Sequence, residues 1–344
     1  MREQIHYLKQ EEKQNSRKMY ETVFPEDSVE FVDYYYQWKV RDNKILVMED
    51  ETGYEVMMHL NPYRLKANGK SVVVPYIVAV ATRENCRRKG KMQQVMKQAL
   101  QDLQKIHCPF TFLLPADPAY YYGQGFVFAA KLPLKKKEVQ KPEGVQNVRK
   151  ESCFSVKQLK SEQLEQIAET ANEILAKQYC VYVQREASYY ERQIAETAGE
   201  HGEVLVVEAD GRIIGILSYG KGEQAEVKEF LLMHQYEGQR EEICNQIFGL
   251  NGWSEEIMQM MFRITDLQSL SGMLKGKREE WIVRVRDSDV EENNGIWKLK
   301  WNPQGGNIVR LAEEISEADV EEVDIVKVTE RIVEKWRIFI REWV

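Results

Sequence analysis

The chain has 344 residues, 43% of them apolar and 10% aromatic, with 48 Lys and Arg against 55 Asp and Glu for a net charge of -7. That length holds two or more cores at about 150 residues per domain, and that apolar content excludes a disordered chain. The negative balance and the shortness of the basic runs, Arg87-Arg88-Lys89 with Lys91 and Lys135 to Lys137, exclude a duplex nucleic-acid footprint.

The longest apolar run, Val72 to Ala81, is interrupted by Pro75 and falls short of the about 20 residues that cross a bilayer, so no membrane insertion is expected. The amino-terminal stretch is charged throughout and lacks the apolar core of a secretory signal. The cysteines Cys86, Cys108, Cys153, Cys180 and Cys244 are scattered, without CxxC, as expected of reduced thiols in a cytoplasmic protein.

In chain order, residues 3–22 read as a helix, and Ile45 to Glu49 with Tyr54 to Leu60 as a hairpin across an Asp- and Gly-rich turn. A β-rich run, Val72 to Thr82, leads through a short loop into Lys91 to Lys105. There Met92, Val95, Met96, Ala99, Leu100 and Leu103 fall on one helix face. Phe110 to Leu114 is the next strand, which makes 72–114 a strand–helix–strand unit with a right-handed parallel crossover. Residues 131–148, with two prolines and a lysine run, read as a linker. A second α/β pattern follows: a helix over Ser161 to Gln178, a hairpin from Val204 to Tyr219 and a strand from Ala225 to Leu232, an order that repeats the first unit. Trp281 to Arg286 and Ile296 to Trp301 read as strands of a third module, with two short helical stretches after them. The expected fold class is α/β (α+β), divided at 1–135, 136–260 and 261–344.

Two local patterns carry chemistry. In the first, a strand ends at Val80-Ala81-Thr82, a basic loop Arg87-Arg88-Lys89-Gly90 follows, and a helix opens at Lys91-Met92-Gln93. Unpartnered amides at a helix amino terminus, a glycine that admits close approach and adjacent cations suit a pyrophosphate. A solvated basic turn is the plainer reading of the loop alone. There is no GxxxxGK[ST] and no GxGxxG between strand and helix, which excludes P-loop and Rossmann nucleotide sites. The second pattern is Ala116-Asp117-Pro118-Ala119-Tyr120-Tyr121-Tyr122-Gly123-Gln124-Gly125-Phe126, three tyrosines against a glycine-rich turn. Taken alone, such a cluster reads as packing.

Together, R-x-x-G-x-M at Arg87, Gly90 and Met92, an amphipathic helix, a strand, and Y-x-x-x-G-F at Tyr121, Gly125 and Phe126 resemble the GNAT superfamily of N-acetyltransferases. Three modules, with V-A-T-x(4)-R-R-K-G, L-L-P-A and Y-G-x-G-F in the first, resemble its enhanced-intracellular-survival (Eis-like) branch. That resemblance implies tandem GNAT-type sheets and a sterol-carrier-like carboxy-terminal domain in a homo-oligomer. It implies acetyl-CoA as co-substrate, held by Val80, Ala81, Thr82, Arg87, Arg88, Lys89, Gly90, Lys91, Met92, Gln93, Ala116 and Asp117. Tyr121 takes the place of the general acid, with Tyr120 and Tyr122 as fallbacks. The base it points to is the terminal carboxylate of Val344, although the apolar tail reads equally as the end of the third core. The second unit has no basic loop: Met233 to Arg240 carries an acidic residue before its glycine, so that unit reads as structural.

The acceptor is expected to be a primary amine on a small molecule or peptide, and not a nucleic acid. Glu26, Glu30 and Asp33 near Trp38 suit a cation, unless they form only the outer face of a helix. His59, His107, His201 and His234 lack metal-ligand spacing, so no metal is expected. The rival reading is a non-catalytic CoA- or lipid-binding protein.

Overall fold

The computed structural model describes residues 4–138, 154–221, 224–249, 253–312 and 320–342. The start differs from expectation: Gln4–Tyr7 is a strand (β1), Lys13–Ser16 a 3-10 turn, and only Arg17–Val23 is helical (α1). β1 pairs with residues 46–49, and covering that exposed sheet edge outweighs a modest helix propensity. Val29–Tyr34 (α2) is capped by Ser28, whose Oγ accepts from the Phe31 amide at 3.1 Å, and runs into a π-helical turn, Tyr35–Lys39.

Lys44–Asp50 (β2), Gly53–Ala67 (β3) and Lys70–Thr82 (β4) form an antiparallel meander. Asn68 and Gly69 join the long hairpin at φ 50° and 92°, the signature of a turn that matches strand twist. Lys91–Lys105 (α3) has the bounds its apolar face predicts, and Val95, Met96, Ala99, Leu100 and Leu103 are buried beneath it. Phe110–Leu113 (β5) runs parallel to β4. Val127–Glu138 (β6) occupies the first part of the expected linker, so 131–138 is strand instead; residues 139–148 lie outside the described residues.

The second unit runs Ser155–Gln158 (β7), Leu164–Gln178 (α4), Val181–Val183 (β8), Ala187–Gly199 (α5), Glu203–Ala209 (β9), Arg212–Lys221 (β10), Gln224–Leu232 (β11) and Arg240–Phe248 (α6); the expected helix, hairpin and strand are α4, β9 with β10, and β11, whereas β7, β8 and α5 were not expected. The remainder is Trp253–Ile264 (β12), Glu279–Arg286 (β13), Gly295–Trp301 (β14), Asn307–Arg310 (β15), Glu321–Asp324 (β16), Ile325–Val333 (α7) and Ile338–Phe339 (β17). After residue 301 the described residues therefore hold one helix, not two, because β15 and β16 extend a small sheet in the order β15-β14-β13-β16.

The fold is mixed α/β. One large sheet runs β1-β2-β3-β4-β5-β12-β6-β11-β10-β9-β7, with β8 against β3 and β17 against β8. β6 crosses the expected boundary at 135/136 and β12 the one at 260/261, and the two strands pair with each other along most of their length. Phe262 of β12 stacks on Phe110 and Phe112 of β5 at 5.6 and 5.7 Å, with Trp336 at 5.4 Å from Phe110. The main core is thus shared between the first and third parts of the chain. Among the described residues no helix is long and apolar enough to cross a membrane.

Candidate active site

β4 and β5 pair only at Tyr76↔Phe112 and Ile77↔Leu113. Beyond that point Val78 to Thr82 has no partner on the β5 side, so the sheet opens at the end where α3 begins. On its other side, β4 slips register against β3: Met57 faces Ala81 and His59 faces Val78, leaving Ala79 and Val80 opposite Met58 alone. Ala79 adopts φ 50°, which few non-glycine residues do. A bulge of this kind turns backbone groups out of the ladder, here beside the opening.

The basic loop stands clear of the protein. Arg87, Arg88, Lys89 and Gly90 are exposed, as is Gln93, so nothing walls off the helix amino terminus. Gly90 caps α3 at φ 74°, and a Cβ there would meet open space. The first-turn amides of Lys91, Met92 and Gln93 have no intrahelical acceptor and point into that space. Arg87 Nε donates to the Thr82 carbonyl at 3.1 Å and fixes the loop to the strand end. Arg88 and Lys89 have no partner among the described residues. Lys91 differs from expectation: its Nζ turns inward to Glu55 Oε1 at 2.5 Å, and this bond holds the Glu55 carboxyl below the usual range. Cys86 Sγ meets the same oxygen at 3.3 Å. Lys91 thus braces the loop from beneath, and only its backbone is open to an anion. Met92 packs half-buried against the core.

The tyrosine turn lies across from α3. Asp117 Oδ1 accepts from the Ala119 amide at 2.9 Å and caps a 3-10 turn, Pro118–Tyr120; Ala116 is exposed. Tyr121 is buried edge-on against Phe126, with ring centroids 5.8 Å apart. Its hydroxyl makes no hydrogen bond within the described residues. Burial, helped by neighbouring Tyr120, pushes this phenol up to about 12. Tyr120 and Tyr122 are 57% and 53% exposed, so neither is core packing. Tyr120 instead lines a pocket of about 310 Å³ with Gln93, Gln94, Lys97 and Gln124.

Gln124 ties the two patterns together, since its Nε2 donates to the Gln93 carbonyl at 3.3 Å. Its own carbonyl accepts from Arg263 Nε of β12 at 2.8 Å. Arg263 is fully buried and pairs with Asp287 at 2.7 Å. Gly125 is obligatory beside it: φ is 80°, and a Cβ would come within 2.5 Å of Arg263 Nε.

A second constellation had no counterpart in the sequence reading. A pocket of about 240 Å³ between β3, α5 and the carboxy-terminal segment is lined by Lys39, Tyr63, Tyr189, Glu196 and Glu342, among others. Lys39 Nζ donates to Tyr63 Oη at 2.7 Å and lies 3.6 Å from Glu196. Glu196 also accepts from Tyr34 Oη at 2.9 Å. Burial alone would raise Glu196, but Lys39 and Lys228 outweigh it and hold the carboxyl low. Glu342 Oε1 accepts from Arg185 at 3.4 Å and from Tyr189 Oη at 3.2 Å, and burial raises its carboxyl despite Arg185. Burial raises the Tyr76 phenol, and Glu342 and Tyr121 add to the rise. These residues are spread from 34 to 342 without local spacing. The sequence carried Lys228-Glu229 between Val227 and Phe230 of a strand, but not that both would be buried.

The expected acceptor residues lie elsewhere. Glu26 and Glu30 are exposed, and Asp33 is held by Arg17 at 2.7 Å. Trp38 is half-buried, with the Arg41 guanidinium 5.8 Å from its ring. None of the four lines the two pockets above. Val344 lies outside the described residues; the described chain ends at buried Glu342. In the second unit Arg240 forks onto Glu237 at 2.7 and 2.8 Å, which neutralises its nearest cation. Among the described residues no group of three or more His, Cys, Asp or Glu is placed to hold a metal ion.

Residues 4–129 match the acetyltransferase (GNAT) domain family. A search of curated proteins finds no match. Among solved structures the chain is similar to a conserved protein of Enterococcus faecalis V583 described as a probable N-acyltransferase, at 16% identity over 96% of this chain and 89% of that one, TM-score 0.75. It is also similar to a GCN5-related N-acetyltransferase from Kribbella flavida, at 11% identity over 99% and 100%, TM-score 0.74. A third is Eis1 from Mycobacterium abscessus, at 10% identity over 96% and 89%, TM-score 0.67. At these identities the likeness establishes the fold along almost the whole chain. The domain match marks residues 4–129 as a GNAT acetyltransferase domain.

Proposed function

We propose that the chain transfers an acetyl group from acetyl-CoA to the primary amine of a small molecule or peptide, of aminoglycoside, polyamine or lysine type, by direct attack. The observation that carries this is the pairing of an open, cation-flanked helix amino terminus with a buried phenol that has no hydrogen bond among the described residues, tied together through Gln124. The co-substrate supplies an activated thioester. Arg88, Lys89 and the amides of residues 91–93 would hold its diphosphate, and the bulged backbone at Val80 would face its carbonyl oxygen.

An alkylammonium near pKa 10.4 costs roughly 4–5 kcal/mol to deprotonate at pH 7. We assign the base to the terminal carboxylate of Val344, a reading supported by Glu342, two residues earlier, being drawn into a buried pocket. A phenol held at about 12 is a weaker acid than a thiol of about 8.5, which makes full proton transfer uphill by about 5 kcal/mol. The burial that raises Tyr121 also raises a thiolate developing beside it. The phenol therefore donates a charge-assisted hydrogen bond as charge appears and completes the transfer late. Residues 136–260 serve as a second, structural GNAT-type unit and 261–344 as a sterol-carrier-like one.

The test is release of CoA thiol from acetyl-CoA with a panel of amines. Tyr121→Phe is expected to lower kcat by about 10²-fold or more with acetyl-CoA affinity retained. Removing Trp343 and Val344 should abolish turnover while acetyl-CoA still binds. Acetyl-CoA binding without turnover of any amine would favour a CoA carrier, and full activity in Tyr121→Phe would remove the phenol from its role.

A further inference from the structure

At the far end of the β3–β4 hairpin lies a third pocket, of about 730 Å³, which the reading above does not use. It opens beside the Asn68-Gly69 turn. β4 runs from Lys70 to Thr82, so at about 3.3 Å per residue its two ends are roughly 40 Å apart. The pocket is therefore remote from the basic loop at 87–90.

Lys66, Lys275, Lys277, Lys335 and Arg337 line it, and among the described residues no carboxylate does. Lys335 is neutralised by Glu279 at 2.5 Å. Lys66, Lys275, Lys277 and Arg337 make no ion pair among the described residues. The contrast with the pocket at Glu342 is informative: there the lining cations Lys39, Arg64 and Arg192 each sit on a carboxylate. In a chain with more acidic than basic residues, unpaired cations converging on one concavity repel one another until an anion is present. Arg337, Lys275 and Cys180 line the same pocket.

The walls are built, not frayed. The Cys180 amide donates to the Arg337 carbonyl at 2.9 Å, and the Arg337 amide to Cys180 Sγ at 3.1 Å. The Asn68 amide donates to the Cys180 carbonyl at 2.7 Å, and Asn68 Nδ2 to the Met273 carbonyl at 2.5 Å. Four separate stretches of chain are thus cross-braced around the cations, which lowers the ordering cost of binding. The volume falls in the range of small-molecule sites.

We propose that this pocket binds a small phosphorylated polyanion, with Lys66, Lys275, Lys277 and Arg337 supplying the charge. Charge alone is longer-ranged than the pocket, so a compact chain of phosphates fits better than one monovalent anion.

Isothermal titration with inorganic tripolyphosphate in about 0.1 M salt tests it, using the full chain carrying Arg88→Gln with Lys89→Gln, so that the loop is silent. One site is expected to remain there, and adding Lys275→Gln with Lys277→Gln is expected to weaken it tenfold or more. Arg337→Gln, which leaves the backbone bonds in place, should repeat the loss if the combined variant misfolds. Retained binding in every pocket variant, loss with the Arg88 and Lys89 changes alone, or no binding at millimolar tripolyphosphate would overturn the proposal. So would binding of single-stranded RNA or anionic vesicles without tripolyphosphate, which would mean an extended polyanion surface. The result is independent of whether the enzyme acetylates an amine.

Discussion

Asp287→Ala probes how the last third of the chain supports the tyrosine turn. The Arg263 and Asp287 side chains are fully buried or nearly so, and Asp287 Oδ1 accepts from Arg263 at 2.7 Å and from the amides of Asp289 and Val290, each at 3.1 Å. Its Oδ2 accepts from Asn293 Nδ2 at 2.9 Å. Alanine leaves a buried guanidinium without its counter-charge, and breaking a buried pair from one side costs about 3–5 kcal/mol. Unpaired amides add to that unless water enters the space. The functional effect runs through Arg263 Nε and the Gln124 carbonyl, 2.8 Å apart, and so to the turn that follows Tyr121. Urea unfolding should show a loss of at least about 3 kcal/mol. Turnover should fall under conditions where the variant remains folded, with acetyl-CoA KM little changed. Replacing both partners, Arg263→Met with Asp287→Leu, should recover much of the stability, since an apolar pair leaves no orphaned charge, but should not recover turnover, because the Gln124 carbonyl stays unheld. A loss below about 1 kcal/mol in Asp287→Ala, or full activity in the double variant, would refute the idea that this pair buttresses the turn.

Two further outcomes follow from the geometry. Arg88→Gln and Lys89→Gln should each raise the KM for acetyl-CoA by about tenfold with kcat unchanged, since they act on binding and not on the reacting atoms; steady-state kinetics over a range of salt checks this. His59 is fully buried, and burial, with the Lys13 ammonium adding to it, lowers its pKa from 6.5 to about 3. The unfolded chain then binds a proton that the folded chain refuses, so this contribution is complete above pH 6.5 and is lost as pH falls toward 3. Between pH 7.5 and 5 the loss amounts to about 2 kcal/mol at 1.36 kcal/mol per unit, and His59→Asn should flatten a denaturant-derived stability profile by that amount.

The first unit was legible because its signals are local. Helix 91–105 showed in a single apolar stripe, and the exposed basic loop in a glycine and its cations beside a strand end. What escaped depends on distant residues. The acidic row near Trp38 looked like a cation site because sequence shows charge but not which face a helix buries; Asp33 is spent on Arg17. Lys91 belonged to a basic run, yet its partner Glu55 lies 36 residues earlier. The linker at 131–148 was read from its prolines and lysines, whereas over 131–138 β12 and β11 supply ladders and override that composition. Asn68-Gly69 was a readable turn signal that would have extended both hairpin strands toward each other.

The match to the acetyltransferase domain ends at residue 129, but the site does not. β12 lies between β5 and β6, so the strand that leads into the tyrosine turn is paired on one side by residues 261–264. Without them β5 would keep only its two-residue contact with β4, at the place where the sheet opens. Arg263 holds the turn, Asp287 holds Arg263, and the 288–289 backbone accepts from Lys97 and Gln101 of α3 at 2.8 and 3.0 Å. Glu342 closes the charged pocket from the other side. The opening between β4 and β5 is thus a gap that the first 129 residues create and the last 90 or so hold at its width. This explains why the likeness to solved structures extends over almost the whole chain at 10–16% identity, while the recognisable motifs stay in one third of it. Packing and backbone pairing preserve the frame with many sequences, and only the groups facing the reactants need particular side chains.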